Sequence, residues 1–263
     1  MTNRAFGIEI EAYGVSQFEL EDRLRQAGIQ VRVEGYNHST REHWKIVSDG
    51  SIQGPDSFEL VSPPLSGEEG LNQIRTVCRV LDEVGAKVNK SCGFHVHHSA
   101  ADLTPKALQA LIGLYTRFQG ALDEIVAKSR RGNNNTYCRA LSNELYYRAL
   151  RRDDLQGIVC CQDSRYYKLN LQAYLRHGTI EIRHHQGTVN ADKIINWIRL
   201  TQAIVEAAVR LNHSKLSLDN HTGRLDHDRW HFWNTVKKVL DAGEFEELRA
   251  YYGQRRKELA AAA

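Results

Sequence analysis

The stretch that most constrains the fold is Cys92-Gly93-Phe94-His95-Val96-His97-His98-Ser99. In a β-strand successive side chains alternate between faces, so Phe94 and Val96 look one way while His95 and His97 look the other. Phe6-Gly7-Ile8-Glu9-Ile10-Glu11 and Gly178-Thr179-Ile180-Glu181-Ile182-Arg183 repeat the design, setting Glu9/Glu11 and Glu181/Arg183 opposite apolar stripes. Phe58-Glu59-Leu60 adds another carboxylate in the same manner. The pattern predicts that these faces lie side by side in one sheet and line a site for metal and a polyanion.

Taken singly, each strand has a bland explanation. A Glu-x-Glu strand is usually a solvated face, and Glu181/Arg183 could be a surface ion pair worth about 0–1 kcal/mol. Solvated faces, however, mix in Lys, Thr, Ser and Gln, whereas these concentrate the groups that bind divalent cations and phosphate oxygens. Glu9, Glu11, Glu59 and Glu181 gathered together would repel one another without cations. Several carboxylates with one imidazole suit Mg²⁺ or Mn²⁺ accompanied by phosphate, while structural zinc calls for thiolates or more histidines. His97, Lys168, Arg183 and Arg165 carry the charge needed to hold a transferring phosphoryl group. The sequence contains no G-x-x-x-x-G-K-[ST] loop and no G-x-G-x-x-G motif, so a nucleotide must be held by the sheet face itself.

The remaining pattern predicts an α+β fold, because strands cluster rather than alternating strictly with helices. Strands are expected over 4–13, 29–33, 43–47, 57–62, 86–89 and 93–99, with a hairpin of 165–174 and 177–185. Helices are expected over 19–27, 68–84, 104–128, 137–152, 191–212, 230–240 and 244–259, and 129–136 is a basic loop. Residues 1–259 read as a single catalytic domain, with 213–259 a C-terminal helical extension and 260–263 a tail outside the fold.

At 263 residues the chain has ample length for a core, and 41% hydrophobic with 25% charged residues is ordinary for a globular protein. A net charge of +3 argues for neither nucleic acid nor membrane as partner. Five cysteines without a C-x-x-C pair suggest a reduced, cytoplasmic protein. No run approaches the roughly 20 apolar residues of a membrane span.

The ordered set of motifs then becomes specific. Glu-x-Glu on the first strand, an Asp-Gly-Ser turn at Asp49–Ser51 followed by Phe-Glu-Leu-Val-Ser-Pro, Gly-Phe-His-Val-His, Tyr-Lys-Leu-Asn and Gly-Thr-Ile-Glu-Ile-Arg-His-His-Gln-Gly-Thr together resemble the amidoligases of the carboxylate-amine ligase superfamily. These are relatives of glutamine synthetase and glutamate-cysteine ligase, and the resemblance runs over about residues 5–200. It implies a curved, largely antiparallel sheet with helices on its convex face and a concave face that binds ATP with Mg²⁺ or Mn²⁺. It makes Glu9, Glu11, Glu59, His95 and Glu181 metal ligands, and His97 and Arg183 phosphate contacts with catalytic roles. Lys168 and Asn170 join them on the nucleotide side. Asp49, Ser51, Arg130, Arg139 and Arg165 are candidate substrate contacts.

The implied reaction joins a carboxylate to an amine through an acyl phosphate, with small-molecule or peptide substrates and nucleic acid only as a modified acceptor. Two other readings stay open. In one, His95 and His97 hold Zn²⁺ in an amide hydrolase. In the other, Arg130, Arg131, Arg151, Arg152 and Arg165 make a non-catalytic anion- or nucleic-acid-binding module.

Overall fold

Period-two alternation is realised where the sequence shows it most clearly. The computed structural model describes residues 3–211 and 224–262. In chain order the elements are β1 (Phe6–Ala12), α1 (Gln17–Gln26), β2 (Val31–Val33), β3 (Trp44–Val47), β4 (Phe58–Val61), α2 (Gly67–Glu83), β5 (Gly93–Ser99), α3 (Pro105–Asp123), a 3-10 turn (Lys128–Arg130), α4 (Asn143–Ala149), α5 (Leu155–Val159), β6 (Leu169–Asn170), α6 (Ala173–His177), β7 (Thr179–Gln186), α7 (Ala191–Leu211), α8 (Leu225–Lys237) and α9 (Ala242–Ala261). The fold is mixed helix and sheet with mostly antiparallel pairing: β1/β4, β3/β4 and β6/β7 are antiparallel, β2/β3 parallel. Among the described residues no helix is long and apolar enough to cross a membrane.

The chain divides into two compact units, Thr2–His97 with His185–Ile198, and His98–His184 with Arg199–Ala263. In the first, strands run in the order β2-β3-β4-β1-β5. Ile10 pairs with Leu60 and Glu11 with Glu59 across β1/β4. Ile8, Ile10, Ile46, Leu60, Phe94 and Val96 are at most 1% exposed. With Leu20 and Leu24 of α1 and Leu71 and Ile74 of α2, also fully buried, they form the core, each such side chain contributing about 1.5–3 kcal/mol. Burying this apolar stripe commits the alternate residues of β1, β4 and β5 to the other face.

The second unit is organised on α3, whose Leu108, Ala110, Leu111, Ile112 and Tyr115 are fully buried. Thr104 caps it, accepting from the Ala107 amide at 3.1 Å, with Pro105 in the first turn. Helices α4, α5 and α8 pack against it. The β6/β7 pair sets Asn170 opposite Glu181 and Leu169 opposite Ile182.

Several boundaries differ from the sequence expectation. The strand expected over 86–89 is reduced to one bridge between Tyr13 and Lys87, because Gly85 turns with φ 73° immediately before it. Helix α3 stops at Asp123 rather than 128, where the Asp123 carboxylate is recruited by distant groups described below. Only Asn143–Ala149 of the expected 137–152 helix forms, since Arg139 is drawn into a parallel bridge with Tyr167. The link of the β6/β7 pair is the short helix α6, ended by Gly178 in the left-handed region at φ 64°. Helix α9 continues through Ala261, so Ala260 and Ala261 of the expected tail are helical. Part of the expected C-terminal extension, 213–223, lies outside the described residues. All five cysteines are free thiols.

Candidate functional site

In the first unit the acidic face is built by three adjacent strands and one turn. Glu9 receives two imidazoles of β5: His95 Nδ1 lies 2.9 Å from Glu9 Oε2 and His97 Nε2 lies 3.2 Å from Glu9 Oε1. Burial pushes the Glu9 carboxyl up, but the hydrogen bonds and charge of His95 and His97 outweigh this and hold it well below the usual carboxylate range. An ionised carboxylate only accepts, so His95 donates through Nδ1 and, when neutral, keeps at Nε2 the kind of lone pair a metal takes. That Nε2 is 3.6 Å from Glu11 Oε1. The Gly93 amide donates to Glu11 Oε2 at 2.5 Å, fixing the Glu11 rotamer.

Glu59 stands directly across from Glu11. Asp49 enters from the turn after β3, its Oδ1 accepting from the Ser51 amide at 2.7 Å. One ligand atom each from Glu9, Glu59 and His95 lie within 4.8 Å of one another, and so do those of Glu11, Asp49 and Glu59. Glu59 belongs to both groups. The donors are chiefly carboxylate oxygens with one imidazole, which fits a hard divalent cation better than zinc. Nearby on β3, Lys45 is buried with its ammonium directed to Asn37 O, Asn37 Oδ1 and Ser39 O at 2.9–3.0 Å. Burial pulls its pKa down.

The second unit carries the remaining expected residues. Arg183 donates through Nη1 to Glu181 Oε1 at 2.5 Å and through Nε to the Tyr137 carbonyl at 3.3 Å. Asn170 donates to Glu181 Oε2 at 2.6 Å, as their register across β6/β7 allows. Lys168 takes a different partner: it is fully buried and its Nζ lies 2.5 Å from Asp123 Oδ1. The same oxygen accepts from His184 Nε2 at 2.6 Å, and Tyr115 donates to His184 Nδ1 at 2.9 Å. The Gly132 amide satisfies Asp123 Oδ2 at 2.8 Å.

Burial raises the Asp123 carboxyl, yet His184 and Lys168 bring it down to about 2. Burial and the Lys168 charge lower His184 to about 4 against the pull of Asp123, so the ring is neutral near pH 7. Of the expected substrate contacts, Arg139 lies over the Tyr167 ring at 4.3 Å and Arg165 over Tyr166 at 5.2 Å. Arg130 is buried in the 3-10 turn, and Ser51 is exposed in its turn.

Sequence reasoning missed the Tyr115–His184–Asp123–Lys168 chain. Its only local hint was His184, set on the face of β7 opposite Arg183. His98 and His185 are equally buried but structural: His98 lies 2.8 Å from the Thr201 hydroxyl, and His185 packs edge-on to Phe94.

The family model described as “Putative amidoligase enzyme” matches residues 2–205. No curated protein matches the chain. A solved structure entitled “GmaS/ADP complex-Conformation 1” is similar with TM-score 0.49 at 12% identity, covering 99% of this chain and 70% of that one. Another, “Crystal structure of novel glutamine synthase homolog”, gives TM-score 0.44 at 11% identity, covering 98% and 67%. The family match includes β1 to β7 and ends within α7, so every strand that carries the acidic and basic groups falls inside it. The chain belongs to the amidoligase family.

Proposed function

We propose that this protein is an ATP-dependent carboxylate-amine ligase that forms an amide or peptide bond through an acyl phosphate. The observation that carries the reading is the cross-strand Glu11/Glu59 pair, with Asp49 on one side and Glu9 and His95 on the other. Like charges directly opposite one another destabilise a sheet, and a bound divalent cation would relieve that repulsion. Glu9, Glu11, Asp49, Glu59 and His95 would hold Mg²⁺ or Mn²⁺. Glu181, held by Asn170 and Arg183, is a further candidate ligand.

Bound divalent ions would offset the charge of a triphosphate and fix its orientation. His97 and Arg183 are the donors toward phosphate oxygens. His97 is held by Glu9, and Arg183 is braced by Glu181 and the Tyr137 carbonyl. A substrate carboxylate oxygen attacks the γ-phosphorus with ADP leaving. The amine nitrogen then attacks the acyl carbon, phosphate departs, and the amine proton passes to a base. The Tyr115–His184–Asp123–Lys168 chain fixes the β7 backbone that carries Arg183, which makes it a positioning element. Few imidazoles and many carboxylates in the acidic groups speak against a zinc hydrolase.

The test is ADP release with Mg·ATP against a panel of carboxylic acids paired with amino acids and polyamines. Release that requires both an acid and an amine supports the ligase. Amide cleavage without nucleotide would replace it with the hydrolase.

A further inference from the structure

Helices α8 and α9 follow the region matched by the family, and with the end of α3 they enclose a recess of about 410 Å³. That volume falls in the small-ligand range. Its walls combine aromatic and cationic side chains with two carboxylates, Asp226 and Glu124, the latter paired with Arg229 at 2.5 Å. Trp233 is the aromatic centre, 6.2 Å from the Phe245 ring and 6.3 Å from the Tyr252 ring. Arg249, Tyr252, Gly253 and Arg256 follow one another at helical spacing on α9 and all line the recess. Arg249 stacks over Phe245 at 5.9 Å.

One further feature points to an occupant. Gly253 sits mid-helix, where glycine costs about 1 kcal/mol relative to alanine. A Cβ added there meets nothing within 4 Å. The backbone is thus left open to the recess without any steric demand from the protein itself.

We infer that this recess is a second binding site, for a small molecule that joins an aromatic or apolar body to an anionic group. The body fills the space against Trp233 and Phe245. The anion meets Arg249 and Arg256, where charge-assisted bonds are strongest. The site is independent of the ligase reading, because none of its residues belongs to the acidic face and its test requires no turnover.

The probe is 1-anilinonaphthalene-8-sulfonate, an aromatic sulfonate, titrated into the full folded chain with fluorescence as readout. Saturable one-to-one binding is expected. The Arg249→Gln/Arg256→Gln variant should weaken it about tenfold or more at unchanged melting temperature. Gly253→Leu, which keeps every charge but fills the recess, should abolish it without lowering the melting temperature. The uncharged N-phenyl-1-naphthylamine should bind at least about tenfold more weakly than the sulfonate. Absence of saturable binding, unaltered binding in both variants, or equal affinity for the neutral probe would overturn the assignment.

Discussion

Glu11 and Glu59 face each other directly across the antiparallel β1/β4 pair, the arrangement that sheets ordinarily avoid. Replacing one of them should therefore help the metal-free fold. Glu59→Gln is expected to raise the melting temperature in chelator by roughly 1–3 °C, from about 0.5–1 kcal/mol of relieved repulsion. Differential scanning fluorimetry in EDTA measures it; a lowered melting temperature would show that the pair is not under electrostatic stress.

Arg183 spans Glu181 Oε1 and the Tyr137 carbonyl with different guanidinium nitrogens, a fork that lysine cannot reproduce. Arg183→Lys should lower nucleotide-dependent turnover by about 100-fold while the circular dichroism spectrum stays native. Near-normal turnover in the variant would remove Arg183 from the phosphate contacts.

Lys168 and Asp123 form a buried ion pair at 2.5 Å, and breaking such a pair from one side costs about 3–5 kcal/mol. Lys168→Met should thus lower the melting temperature by about 10 °C, and adding Asp123→Leu should restore much of the loss. A Lys168→Met protein as stable as its parent would mean that this ammonium serves the nucleotide rather than the fold.

Acid should weaken the same chain in two windows. His184 titrates near 4 in the folded chain against 6.5 ordinarily. Its contribution is therefore complete above pH 6.5 and is lost as pH falls toward 4. Asp123, at about 2 against 3.8, contributes fully above pH 3.8 and loses that contribution between 3.8 and 2. Melting temperature should decline on acidification from pH 6.5, and His184→Gln should flatten the upper window. A melting temperature that rises between pH 6.5 and 5 would contradict the assignment.

The alternation of β1, β4 and β5 was legible in the sequence because period two is a local steric property, and one buried face fixes the other. Glu9, Glu11, Glu59, His95 and His97 could be named for that reason, the α+β class from the clustering of strands, and the mostly antiparallel sheet through the family resemblance. The end of α3 was not legible. Asp123 is claimed by Lys168 and His184, which lie 45 and 61 residues further on, and no local propensity encodes such a bond. For the same reason Lys168 reads locally as a member of a polar face, although its ammonium is buried against Asp123. The expected 137–152 helix failed because the pairing of Arg139 with Tyr167 is tertiary.

The most direct measurement of the central claim is Mn²⁺ binding followed by electron paramagnetic resonance, comparing the parent chain with Glu59→Gln. Because Glu59 contributes to both ligand groups, the parent should take up Mn²⁺ at two neighbouring positions and the single substitution should weaken both. A parent chain that binds no Mn²⁺, with or without nucleotide, or a variant that binds it unchanged, would contradict the account.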